Sequence, residues 1–270
     1  MSEKDAPGRE RVSFGLIASG AVLALILIVG LVMYIARDEP KSATAPAAGG
    51  DPNATGFADP EVDILNRRVD IPNNPAGQPL AQDPARQRRP ADADWLTGAP
   101  TGTTAPHGWQ RVYGASVPFS TSDGPTRIED GLAVGYSHSP QGAALAAAQI
   151  TYRLNARPAD RDLYMRQVRG SAQQIAAYDK ALAADRLPKQ QSEKVTKYFV
   201  ASDAFKIDDY ADDLAILRLA SRGPQVDGKQ LWAAVRLVMV WDAGDWRLKP
   251  ASSNNPQTEY VESLNGWTKW

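Results

Sequence analysis

Few residues in this chain have the chemistry to act on a substrate, and the most acidic run among them is Asp208-Asp209-Tyr210-Ala211-Asp212-Asp213. Paired carboxylates at that spacing can hold the cations that phosphoryl transfer requires. Aspartates clustered between two strands more often form a solvated turn that keeps a sheet end from pairing, and that reading is favoured here. The spacing of a calcium loop is absent. Ser137-His138-Ser139 has the letters of a nucleophile and a base. A serine directly before Pro140, however, is the expected cap of a helix. His107 and His138 are the only histidines and no cysteine is present. Thiolate chemistry is therefore excluded, and no histidine pair has metal-ligand spacing. The expectation is no catalytic, metal or cofactor-binding residue, and hence no enzyme.

The other excess is aromatic. Trp232, Trp241, Trp246, Trp267 and Trp270 crowd the C-terminal third. Near strand ends such rings close a core; any left exposed would be interface anchors, because a large rigid ring buries much area at low entropy cost. These five are the candidate interface residues.

The elements that must position them begin with an apolar run. Residues 15–36 (GLIASGAVLALILIVGLVMYIA) carry no charge. At ~1.5 Å per residue, such a helix covers the ~30 Å hydrocarbon core of a bilayer. A secretory signal has an apolar stretch of only about 7–15 residues, so a retained anchor is favoured over a cleaved signal. Lys4, Arg9 and Arg11 precede the run, whereas Arg37 and Lys41 follow it. That slight basic excess puts residues 1–14 in the cytoplasm and the bulk of the chain outside, as a single-pass protein of the cell membrane. Net charge is −1, which argues against direct nucleic-acid binding. The Ala-, Arg- and Asp-rich composition suggests a bacterial chain from a GC-rich genome.

From residue 37 to 106, prolines and glycines recur without a hydrophobic pattern, and the expectation is a disordered linker. Two islands stand out within it. Val62 to Val69 could form a helical turn or two, and Asp94-Trp95-Leu96 could dock on a partner. The basic cluster Arg86, Arg88, Arg89 reads as solvated linker charge. The folded domain is expected at 107–270. Trp109 to Phe119 and Leu132 to Tyr136 look extended. A helix starts at Ser139-Pro140 with Ala143, Ala147, Ile150 and Leu154 on one stripe, and Pro158 ends it. A second helix is expected from Asp160 to Ala184. After Val195 the period becomes alternating, with strands at 204–209, 214–221, 231–241 and 245–249. Turns are expected at Gly223-Pro224 with Asp227-Gly228, and at 242–245. Both faces of 231–241 are largely apolar, as in a central strand. Helices followed by a meandering antiparallel sheet make an α+β domain.

One anchor, a tether and a domain ending in the strand Gly244-Asp245-Trp246-Arg247-Leu248 resemble the bitopic assembly proteins of type IV secretion and Gram-positive conjugation systems. Residues Gly135 to Ala144 also look like a segment of actinobacterial membrane proteins linked to mobile elements. The resemblance implies a cystatin-like extracytoplasmic domain, with helices on a curved sheet as in nuclear transport factor two. It further implies a scaffold subunit of a conjugative DNA-transfer channel that binds other membrane channel subunits and itself, without catalysis. Two alternatives share the fold: an accessory protein of a lipid-importing envelope complex, and a small-molecule-binding or isomerase-type enzyme.

Overall fold

The computed structural model describes residues 54–251 and 258–270. The apolar run at 15–36, the tail before it and the linker as far as residue 53 lie outside the described residues. No helix among the described residues is long and apolar enough to cross a membrane. The fold is α+β, with mostly antiparallel sheet and few helices. Strands β1 (Phe57–Val62), β2 (Arg68–Pro72), β3 (Trp109–Val112) and β4 (Ala115–Pro118) form a four-stranded sheet in that order. A hairpin of β5 (Arg127–Glu129) and β6 (Leu132–Val134) leads to helices α1 (Pro140–Ala156), α2 (Arg161–Gln167), α3 (Ala172–Ala183) and α4 (Glu193–Thr196). The larger sheet follows: β7 (Ala204–Ala211), β8 (Leu214–Val226), β9 (Lys229–Asp242), β10 (Asp245–Lys249), β11 (Thr258–Val261) and β12 (Thr268–Lys269). Its order is β10-β9-β8-β7-β12, with β11 also on β9.

Helix α1 starts where the sequence places it. Ser139 is extended, its hydroxyl accepts from the Gly142 N–H at 3.0 Å, and Pro140 occupies the first turn. The expected single stripe becomes burial on every side: all 17 residues are buried. The helix packs on β4 of the first sheet and on β7–β10 of the second. A helix enclosed this way needs side chains small enough for both layers to approach, and Ala143, Ala144, Ala146, Ala147 and Ala148 provide them at 0% exposure. Two of its long polar side chains find internal partners, whereas Thr151 and Asn155 are buried without a side-chain hydrogen bond among the described residues. Gln149 donates to the Pro118 carbonyl at 2.7 Å, and Arg153 to those of Ala76 and Gly131 at 2.5 and 3.0 Å.

The second expected helix is two. After Gln167 the chain turns extended, Val168 bridges Leu248, and the Arg169 N–H donates to the Leu248 carbonyl at 2.8 Å. Ser171 then restarts the helix with a capping box against Gln174. A sheet partner at Leu248 competes with helix continuation and wins for three residues.

The large sheet follows the alternation seen in the sequence, and its hairpins turn through two residues of positive φ. Asp227-Gly228 (50° and 75°) and Ala243-Gly244 (53° and 81°) both match the twist of their flanking strands. Gly223-Pro224 does not belong to a turn. It lies within β8, where the register shifts between Arg222 and Gln225, so the hairpin runs on to Asp227-Gly228. On β9, Leu237 and Met239 are buried on the inner face, and Val238 and Val240 on the other are half-buried.

The linker expectation fails for residues 54–106. Val62 to Val69 makes the end of β1, a turn and the start of β2, not helix. The Asp63 carboxylate accepts from the Leu65 and Arg67 N–H groups at 2.8 and 3.0 Å, which fixes that turn. β2 pairs in parallel with β3 through Asp70 and Gln110. The Gln110 side-chain amide accepts from the Gln78 N–H at 2.8 Å and donates to the Gln78 carbonyl at 2.7 Å, while the Gln78 side chain accepts from the Gly56 N–H. Gln82 and Gln87 donate to the Ser120 and Ser122 carbonyls. Val69 and Ala76 are buried. Proline lacks an N–H to satisfy, so a proline-rich stretch can lie ordered on a core once side-chain amides bind its remaining backbone groups. The domain therefore begins well before residue 107.

Candidate functional site

The residues with catalytic letters serve the fold. Ser137 and Ser139 both donate to Asp123 Oδ1, at 2.6 and 2.9 Å. The His138 ring stacks on Trp241 at 4.1 Å and reaches the Asp212 carbonyl, with no hydrogen bond to either serine. In the acidic run, Asp208 receives the Arg218 guanidinium at 2.6–3.1 Å, while the carbonyl of Asp213 accepts from the Trp241 N–H at 2.9 Å. Among the described residues, no three His, Asp or Glu side chains converge as a metal site would need. Within 86–89, Arg88 pairs with Asp94 at 2.7 Å and Arg86 with Asp83 at 3.2 Å.

The five tryptophans separate by environment. Trp246 is core at 1% exposure and its indole N–H donates to the Ser137 carbonyl at 2.9 Å. Trp270, at 8%, packs on Phe205 and donates to Ser202 Oγ at 3.2 Å. Neither is an exposed anchor, because both rings close the interior of the large sheet. Trp241 is half-buried under His138, and Trp267 lies below Arg218 at 5.5 Å. Trp95 meets Tyr210 edge-on at 5.6 Å, so the island expected to dock on a partner docks instead on this chain.

Trp232 is different, because it opens onto a groove of about 640 Å³ between the two sheets. One wall is the start of β2 with the 103–109 loop; the other is built from Asp203, Arg222 on β8, Trp232 on β9 and the segment through β12. Four basic side chains (Arg67, Arg68, Arg222, Lys269) and two acidic ones (Asp70, Asp203) line it. Arg67 is fully committed. It pairs with Asp63 at 2.8 Å, donates to the Ala201 carbonyl, and lies over the Trp109 ring at 3.9 Å. Arg68, more than half exposed, pairs with Asp70 at 2.8 Å. Asp203 accepts from Arg222 at 3.2 Å and from the Trp232 indole at 3.0 Å. Lys269 is exposed and makes no ion pair among the described residues.

Burial alone would raise the Asp70 pKa. The Arg68 guanidinium and the His107 N–H outweigh that and hold the carboxyl below the usual range. Asp70 is thereby held as a carboxylate between the Arg68 guanidinium and the His107 N–H. No single stretch of sequence pointed to it: Arg67 and Trp232 lie far apart in the chain, and only the pairing of β2 with β3 and of β8 with β9 brings them to one cleft.

The family model described as Domain of unknown function (DUF8175) matches residues 70–269. The chain belongs to that family. The match runs from within β2 to β12, including residues 70–106, and takes in the groove residues from Asp70 to Lys269. Neither a curated protein nor a solved structure matches the chain.

Proposed function

We propose that this DUF8175 protein is a membrane-tethered scaffold subunit that works by binding a partner protein through the groove between its two sheets. The observation that carries the reading is that groove, with mixed charge, a partly open tryptophan and carboxylates already held by arginine. Such a surface suits recognition, in which a few aromatic and arginine side chains supply most of the binding energy. The anchor is the apolar run at 15–36. The domain lies outside the cell membrane, tethered by one helix with the N-terminus in the cytoplasm. In this reading the tether includes residues 37–53, a stretch that cannot exceed about 60 Å at full extension.

In this reading the partners are other membrane subunits of a conjugative, type IV secretion-like transfer channel, together with further copies of the chain. Support for the cystatin-like form comes from α1 followed by the antiparallel meander β7–β10 packed on it. The test is chemical cross-linking in intact cells, followed by identification of the species joined to this chain. Membrane subunits of a transfer apparatus, or a second copy, are the expected captures. Turnover of a small substrate by the purified protein, with no protein neighbour captured, would replace the reading with an enzymatic one.

A further inference from the structure

We infer that the groove takes an acidic peptide segment of its partner, one that alternates carboxylates with an aromatic or aliphatic side chain. The inference rests on the groove being the binding site proposed above. Three features of the walls select the ligand.

The first is charge. Basic side chains outnumber acidic ones four to two along the lining, and with Arg67 spent on Asp63 the remaining three lie where a ligand can reach them. Lys269 is exposed and unpaired among the described residues. Arg68 and Arg222 spend one edge of the guanidinium on Asp70 and Asp203, yet are 61% and 46% exposed. A guanidinium has five N–H donors in a fixed fork, so one carboxylate partner leaves donors for a second.

The second is how the aromatic wall is used. Trp109 has its face covered by Arg67, and Trp270 is 8% exposed. Trp232 is the one groove ring left partly open, and its indole N–H is already given to Asp203. It offers a ring surface without a hydrogen bond. A glycan needs a succession of open ring faces, and this wall offers one. A single open ring flanked by cations suits one apolar side chain between two carboxylates.

The third is scale. A nucleic-acid strand is held by many cations in series. Here the unpaired surplus is one lysine, Lys269, beside the spare donors of Arg68 and Arg222, in a protein of net charge −1. Two or three carboxylates match those three side chains; a phosphate polymer does not.

The experiment measures binding of a fluorescein-labelled, capped peptide of alternating glutamate and phenylalanine to the full-length protein by anisotropy. Saturable binding that weakens as salt is raised is expected. Lys269→Glu should weaken it by about tenfold or more. Trp232→Ala should weaken it similarly, and Arg86→Glu, outside the groove, should leave it unchanged. Circular dichroism melting of each variant separates lost binding from lost folding, and Lys269→Glu removes no ion pair. Binding that ignores salt and Lys269→Glu overturns the inference, as does equal binding of the glutamine version of the peptide. Displacement by a chitin oligosaccharide or a thymidine oligonucleotide, but not by unlabelled peptide, overturns it in favour of those classes. Failure of every peptide to bind also overturns it. If a photoprobe in the groove still captures a protein in cells, the binding reading itself survives that failure.

Discussion

Replacing Trp246 tests whether the large sheet is built around this ring. The side chain is 1% exposed on β10 and meets Trp241, His138 and Tyr210 at centroid distances of 5.3, 5.7 and 5.9 Å. Its indole N–H donates to the carbonyl of Ser137, just ahead of the α1 cap. Trp246→Ala removes the contacts and leaves a cavity, at a cost of about 3–5 kcal/mol. Trp246→Phe keeps most of the packing but strands a buried carbonyl, at a cost of about 1–3 kcal/mol. Trp241→Ala, at a half-buried ring, should cost less than Trp246→Ala. A domain of this size has about 5–15 kcal/mol in hand, so the alanine variant should remain folded at low temperature. The assay is equilibrium urea unfolding of the purified full-length protein followed by far-ultraviolet circular dichroism, since seven tryptophans confuse a fluorescence signal. Stability losses are compared at a common slope. A loss under about 1 kcal/mol for Trp246→Ala, or a greater loss for Trp241→Ala, would refute the core assignment.

Two further outcomes follow from the same structure. Ala147 is enclosed between both sheets, so Ala147→Leu should overpack α1 and destabilise by about 1–3 kcal/mol or more, whereas an α1 with one free face would accept it without loss. Asp70 titrates below its ordinary value of 3.8 in the folded chain, so its contribution to stability is complete above 3.8 and is lost as pH falls through the folded value. Asp70→Asn should therefore be less stable than the parent at neutral pH, with the gap closing in acid. A gap that does not change with pH would contradict the ion-pair account.

The parts of the fold that were legible in the sequence are those whose signal is local. Ser139-Pro140 announces a helix start because cap and first turn are neighbours in the chain. The β8–β9 and β9–β10 hairpins show because alternation and Gly-containing turns are short-range patterns. What stayed hidden depends on distant partners. The four-stranded sheet contains short strands rich in proline and charge, and the chain around it is held by the Gln78, Gln82, Gln87 and Gln110 side chains bonding to remote backbone. The break after Gln167 is set by Leu248, which a helical pattern cannot register. The stripe on α1 understated its burial, since alanine reads as weakly apolar although it is what a helix between two sheets requires. For the site, the tryptophan excess named Trp232 among five rings and could not tell them apart. Trp246 and Trp270 lie inside, and only the meeting of β2, β9 and β12 distinguishes Trp232.

The central claim, that the groove holds a protein partner beside the membrane, is tested most directly by site-specific photocross-linking in living cells. A benzophenone amino acid is placed at Lys269 in one strain and at Val226, at the far tip of the β8–β9 hairpin, in another. The account predicts a discrete cross-linked membrane protein from position 269, lost when Trp232→Ala is added, and no such product from position 226. Equal products from both positions, or none from 269 with the protein folded and expressed, would contradict it.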